Sequence, residues 1–175
     1  MSAATAGARR RAVAGTLVFL VVAPGVVAGL GPYLLTGWET GGEVSPAAMV
    51  AGWLLVAAGL AALLPSFARF ALEGVGTPAP VAPTEHLVVS GLYRHVRNPM
   101  YLAVCALIVG QALLLGRPVL LAYAALFAVA VVAFVRGYEE PALTRRFGAE
   151  YTEYRRAVPG WWPRPRPWTP PAGER

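Results

Sequence analysis

The sequence contains no lysine and no aspartate: all 15 basic residues are Arg and all nine acidic residues are Glu. Asn98 is its only asparagine, Gln111 its only glutamine and Cys105 its only cysteine, and His86 and His95 are its only histidines. These absences exclude a lysine Schiff base, an aspartate nucleophile, a Walker lysine and an EF-hand loop. A lone cysteine excludes a disulfide framework and a CxxC metal knuckle. With two histidines beside it, a His/Cys zinc site is not expected, and no metal site is expected. Charge is scarce as well. Only 14% of residues are charged and 57% are hydrophobic, against about 25% charged in an ordinary soluble domain.

What the chain has in quantity is long uncharged runs. Residues 12–35, 44–68, 98–116 and 118–135 carry no charge. A helix crossing a ~30 Å hydrocarbon core needs roughly 17–25 apolar residues, so each run qualifies. Only Arg117, in Gly116-Arg117-Pro118, separates the last two, which makes residues 98–135 a short helical hairpin. The expected fold is all-α: an integral membrane bundle of about four transmembrane helices. Pro24, Pro32 and Pro65 fall in or near the first two runs, where membrane helices tolerate proline.

Charge sets the orientation. With the N-terminus in the cytosol, every Arg except Arg117 lies on the cytosolic side, and the outer loop 36–43 holds Glu39 and Glu43 with no base. This is a positive-inside pattern. It accounts for the formal charge of +6 through anionic lipid headgroups rather than nucleic acid, and no nucleic-acid partner is expected. Arg9-Arg10-Arg11 precedes an uncharged run of 24 residues. That exceeds the ~7–15-residue core of a cleaved signal peptide, so the expectation is a retained anchor helix in a multi-pass protein of the cell membrane.

Two cytosolic segments hold the polar residues. Segment 73–97 contains Gly74, Gly76, Pro78, Pro80 and Pro83, which forbid a continuous helix and permit tight turns. Loops of this length in a small protein tend to be functional. In segment 136–175, Phe147, Tyr151, Tyr154 and Val158 recur at helical spacing, predicting an amphipathic cytosolic helix. Trp161, Trp162 and Trp168, set among prolines, read as interface anchors. The Pro/Arg-rich tail 164–175 is expected to be poorly ordered. The chain thus divides into a two-helix membrane region (1–72), a core (73–163) and the tail.

Glu139-Glu140 follows directly on the fourth apolar run. Two adjacent carboxylates at the edge of the hydrocarbon are costly unless cations compensate them. Arg94, Arg97 and Arg136 are the candidate partners.

Arg97-Asn98-Pro99-Met100-Tyr101 at the head of the hairpin, Tyr138-Glu139-Glu140 after it, and Phe147-Gly148 with Tyr151, Tyr154 and Arg155 together resemble the isoprenylcysteine carboxyl methyltransferase and phospholipid methyltransferase superfamily. The resemblance covers about residues 73–163 and departs from the family at Asn98, where histidine is usual. An amide there hydrogen-bonds but does not titrate near neutrality. The resemblance implies an integral membrane enzyme using S-adenosylmethionine, with its site on the cytosolic face. It implies a cofactor pocket drawn from Gly74, Gly76, Thr77, Arg94, His95, Arg97, Asn98, Pro99, Tyr101, Glu139, Glu140, Phe147, Tyr151 and Tyr154. Within that set Arg97, Asn98, Tyr101 and Glu140 would be catalytic. The acceptor would be lipophilic or lipid-anchored: an isoprenylcysteine-like carboxylate, a lipid amine or a small hydrophobic molecule. Two alternatives stand beside this reading: an NADPH-dependent membrane reductase of the steroid-reductase type, and a non-catalytic membrane scaffold with the same fold.

Overall fold

The computed structural model describes residues 22–73 and 87–169, together with Val18. Among these residues the chain is helical, with no strand. Helix α1 (Val22–Thr36) contains a π-turn at Val26–Leu30. Helix α2 runs Pro46–Glu73 through Pro65. A 3-10 turn at Gly91–Arg94 leads to α3 (Pro99–Leu115) and α4 (Pro118–Phe134). A second π-turn, Val135–Glu139, joins α4 to α5 (Glu140–Ala157). Pro46–Arg69 and Pro118–Ala157 are long and apolar enough to cross a membrane, whereas Val22–Thr36 and Pro99–Leu115 are shorter apolar helices.

The hairpin follows the sequence closely. Pro99 and Pro118 each sit in the first turn of their helices, where a missing N–H costs nothing. Gly116 ends α3 at φ 59°, a left-handed conformation that closes helices and suits a residue without Cβ. The turn is pinned from outside: Gly41 N–H donates to Leu115 O at 2.7 Å, and Arg117 Nε donates to Glu39 O at 3.0 Å.

Helices α2 and α3 form the most extensive helix pair, and small residues set their separation. A Cβ placed on Gly110 would lie 2.8 Å from Val56 and 2.9 Å from the Gly52 carbonyl. One placed on Gly59 would meet the Ala103 carbonyl at 3.0 Å. Close backbone approach through small residues is the usual means of helix association in lipid. Leu63, Phe67, Val104, Leu107 and Ile108 bury themselves in the core along this seam, joined by Leu120 from α4. Leu34, Trp53, Leu54, Leu126 and Val129 face outward, a distribution suited to hydrocarbon surroundings.

The π-turn in α1 opens its hydrogen-bond ladder, and side chains from the hairpin take up the carbonyls. Tyr123 OH donates to Val27 O at 3.0 Å and Gln111 Nε2 to Ala28 O at 2.8 Å. The only glutamine of the chain therefore serves as a helix-to-helix fastener, and its Oε1 accepts from Trp38 at 3.3 Å.

From Pro118 the backbone continues through the π-turn into α5, because the π-turn carries it past Gly137 and Pro141 sits in the first turn of α5. Helical geometry breaks at Gly148 (φ 55°, ψ −120°), so the segment after it is set off by a kink from the fourth apolar run. The start of the tail, against expectation, is fixed. Arg164 N–H donates to His95 O and Trp168 N–H to Arg94 O, both at 2.9 Å, so residues 164–169 lie along segment 94–95 as a strap. Trp168 is not a free interface anchor: its ring packs 5.6 Å from that of Tyr154. Trp162 is exposed.

Candidate active site

The site is assembled where the head of α3 meets the π-turn and α5. Asn98 precedes Pro99 with non-helical backbone angles and makes no capping bond of its own. Its side-chain amide instead donates to Gly160 O at 3.1 Å. Arg97 reaches the same returning chain. Its backbone N–H donates to Pro159 O and its Nε to Val158 O, each at 2.9 Å. Nη1 of Arg97 then bonds both Glu140 Oε1, at 2.6 Å, and Tyr151 OH, at 3.0 Å.

Glu140 is fully engaged, since Arg155 approaches its second oxygen at 3.1 Å. The Arg97–Glu140 pair is largely buried, with side chains 12% and 10% exposed. A charge pair of this kind has its lone pairs and protons satisfied, as burial demands. Glu139 differs. Its Oε2 accepts from Tyr101 OH at 3.1 Å, and among the described residues Oε1 has no partner. Glu139 lies beyond the apolar end of α4, past Arg136, yet it is half-buried. Burial pushes its carboxyl above the ordinary range; the Tyr101 hydrogen bond opposes this, and the neighbouring Glu140 adds to it.

Both carboxylates border a cavity of about 550 Å³, within the ~300–1,000 Å³ typical of small-ligand sites. Val27, Phe67, Val104, Phe127 and Phe134 are among its apolar lining residues. Tyr93, Tyr101, Tyr138, Tyr151, Tyr154 and the two glutamates also line it, with Arg145 and Arg146. Tyr154 OH donates to Tyr93 O at 2.7 Å, fixing the wall between α5 and the 3-10 turn. Burial raises the Tyr154 phenol as well, so it stays a neutral donor.

The cavity brings together Arg97, Asn98, Pro99, Tyr101, Glu139, Glu140, Tyr151 and Tyr154. Three other candidates lie elsewhere. Arg94 turns to the strap, bonding Trp168 O and Thr169 Oγ1. His95 Nδ1 donates to Arg164 O at 2.8 Å. Phe147 packs on the Tyr151–Tyr154 cluster, with the Arg146 guanidinium 5.6 Å from its ring centre. Gly74, Gly76 and Thr77 lie outside the described residues.

Tyr93, Tyr138 and Met100 also line the cavity, and sequence reasoning missed them as site residues. Tyr138 and Met100 stand inside the Tyr138-Glu139-Glu140 and Arg97–Tyr101 motifs, and their adjacency to Glu139 and Tyr101 is the available signal. Tyr93 had none, because only the 3-10 turn aims it inward. Among the described residues, no group of His, Cys, Asp or Glu is arranged to hold a metal ion.

Neither a curated protein nor a solved structure gives a significant match to this sequence. The phospholipid methyltransferase family profile matches residues 47–150, from the start of α2 to just past the Gly148 bend. That stretch includes the whole hairpin and both glutamates, and it is more than half of the 175 residues. The chain belongs to the phospholipid methyltransferase family.

Proposed function

We propose that the protein is an integral membrane methyltransferase that uses S-adenosylmethionine and methylates an amphiphilic acceptor drawn from the bilayer. One observation carries the reading in a chain of this family: a half-buried carboxylate, Glu139, with one oxygen free in a cavity whose lining is otherwise largely apolar and aromatic. The donor set fits the cofactor. Glu139 suits the cofactor's ammonium or ribose hydroxyls, and the Arg146 guanidinium, with no carboxylate partner among the described residues, suits its carboxylate. Tyr101 and Tyr138 offer aromatic faces to a cation. When bound, S-adenosylmethionine supplies a methyl group activated by a positive sulfur for in-line displacement.

The chain's own part is to align and to exclude water. Arg97 and Glu140 hold each other and so fix the α3–α5 junction. Tyr101 orients the Glu139 carboxylate. An acceptor carboxylate needs no base. For an amine or thiol acceptor, Glu139 would instead spend its free oxygen on the proton, because His95 lies outside the cavity and Glu140 is committed to two arginines. The apolar lining of the cavity, which includes Ala23 and Pro24 on α1, would receive the acceptor's lipid portion.

Four membrane crossings with the termini and the site in the cytosol complete this reading. Its support is the two long apolar helices, the two shorter ones and the distribution of arginine. Thr40→Cys in a Cys105→Ala background should be labelled only from outside; cytosolic labelling would overturn the orientation.

The activity is tested by thermal shift of the detergent-solubilised protein with S-adenosylhomocysteine and, separately, NADPH. Stabilisation by the first and none by the second is expected. The reverse would replace the methyltransferase with the reductase, and a response to neither would leave a scaffold.

A further inference from the structure

A second cleft, of about 640 Å³, adjoins the first, and Arg97, Glu140 and Arg145 border both. Four guanidiniums line it, those of Arg97, Arg136, Arg145 and Arg155, against the single carboxylate of Glu140. Arg97 and Arg155 are partly neutralised by that carboxylate. Arg136 and Arg145 make no hydrogen bond or ion pair with any described residue. Topology alone asks only that arginines lie on the cytosolic side, where a convex surface would keep them apart and hydrated. Here four of them line one cleft with a single carboxylate among them, an excess of positive charge that a bound anion would offset. Arg136 is the first charge after the apolar part of α4, so the cleft begins at headgroup depth. Trp161 also lines it, the kind of side chain that settles at a membrane interface.

We propose that this cleft is a binding site for a phosphate-bearing anion, adjoining the methyl-transfer cavity and distinct from it in its arginine lining. Guanidinium groups recognise phosphate oxygens through paired, charge-assisted hydrogen bonds. The phosphate can belong to an anionic phospholipid headgroup or to a free phosphate in the cytosol. The proposal does not depend on the methyltransferase reading, since the site is defined by its charge and not by the contents of the neighbouring cavity.

The test uses the full chain in a neutral detergent, titrated with dihexanoylphosphatidylglycerol, dihexanoylphosphatidylcholine and inorganic phosphate, with binding read by native mass spectrometry and thermal shift. Phosphatidylglycerol should bind in preference to phosphatidylcholine, and Arg136→Gln should weaken it about tenfold. Arg156→Gln, which removes the same charge from α5 outside the cleft, should leave binding unchanged. Binding of inorganic phosphate that shows the same sensitivity to Arg136→Gln, without preference for the lipid, supports the site with a soluble source. Equal losses in both variants would show diffuse attraction and overturn the proposal. Binding that ignores Arg136 would overturn it too. Should Arg136→Gln not fold, Arg145→Gln asks the same question of the same ligands.

Discussion

Arg97 and Glu140, 43 positions apart in sequence, meet at 2.6 Å and border two adjoining cavities. The pair ties the head of α3 to the head of α5. Glu139, next in sequence to Glu140, has a different partner and an open oxygen. Two adjacent acids of one motif therefore divide the work, one holding the fold and one left available to a ligand.

That division predicts opposite outcomes for two conservative substitutions. Glu140→Gln leaves two arginines short of a buried counter-charge and should cost about 3 kcal/mol of stability. Glu139→Gln removes no ion pair and should leave stability nearly unchanged, while weakening S-adenosylhomocysteine binding about tenfold. Thermal unfolding in detergent measures the first effect and calorimetric titration the second.

The raised Glu139 carboxyl gives the site a pH dependence of determinate sign. Burial makes the ligand-free folded state hold this proton more tightly than the unfolded chain does, so this group adds stability as pH falls. A cationic ligand requires the carboxylate. Affinity for S-adenosylmethionine should therefore fall on acidification, starting at a higher pH than an ordinary glutamate would give. In Glu139→Gln that component should vanish. Titration calorimetry over a pH series checks both curves.

Helix separation depends on hydrogen at Gly110. Gly110→Ala would press a methyl group against Val56 and the Gly52 carbonyl, and backbone cannot yield as a side-chain tip does. A loss of about 1–3 kcal/mol is expected, seen as a lowered unfolding midpoint. Gly137→Ala, where an added Cβ meets nothing within 4 Å, should show no such clash and serves as the control.

The strap 164–169 should loosen without Trp168. Trp168→Ala removes the ring that covers Tyr154, and for a half-buried tryptophan about 1–2 kcal/mol is at stake, less than for a core one. Amide hydrogen exchange is the sharper readout. The Arg164 N–H, bonded to His95 O, should exchange faster in the variant, while amides along α3 keep their protection.

Much of the molecule was legible before any coordinates. The hairpin ends fall within two residues of the charge-free runs, because Gly116-Arg117-Pro118 has the chemistry of a helix stop and start. The gathering of Arg97, Asn98, Tyr101, Glu139 and Glu140 followed from motif order. Three features were not legible. Phe147 packs on Tyr151 and Tyr154 as their shared spacing suggests, yet it does not line the cavity, and the spacing gives no sign of the break at Gly148. Arg94 is as basic as Arg97, yet the strap takes it, and nothing in a Pro/Arg-rich string announces that its carbonyls will bond a particular segment. The π-turn at Val135–Glu139 has no sequence marker that separates it from a helix end.

The sequence by itself determined which stretches avoid water and which side chains are available for chemistry. Hydropathy and residue type are local properties, and a chain without lysine or aspartate has few polar groups to place. Only the tertiary structure decided which arginine meets which glutamate. That choice rests on α2 and α3 closing to backbone contact at their glycines and on a π-turn that sets the direction of α5. Ion pairing falls off within a few ångströms, so partners are selected by where packed helices put them.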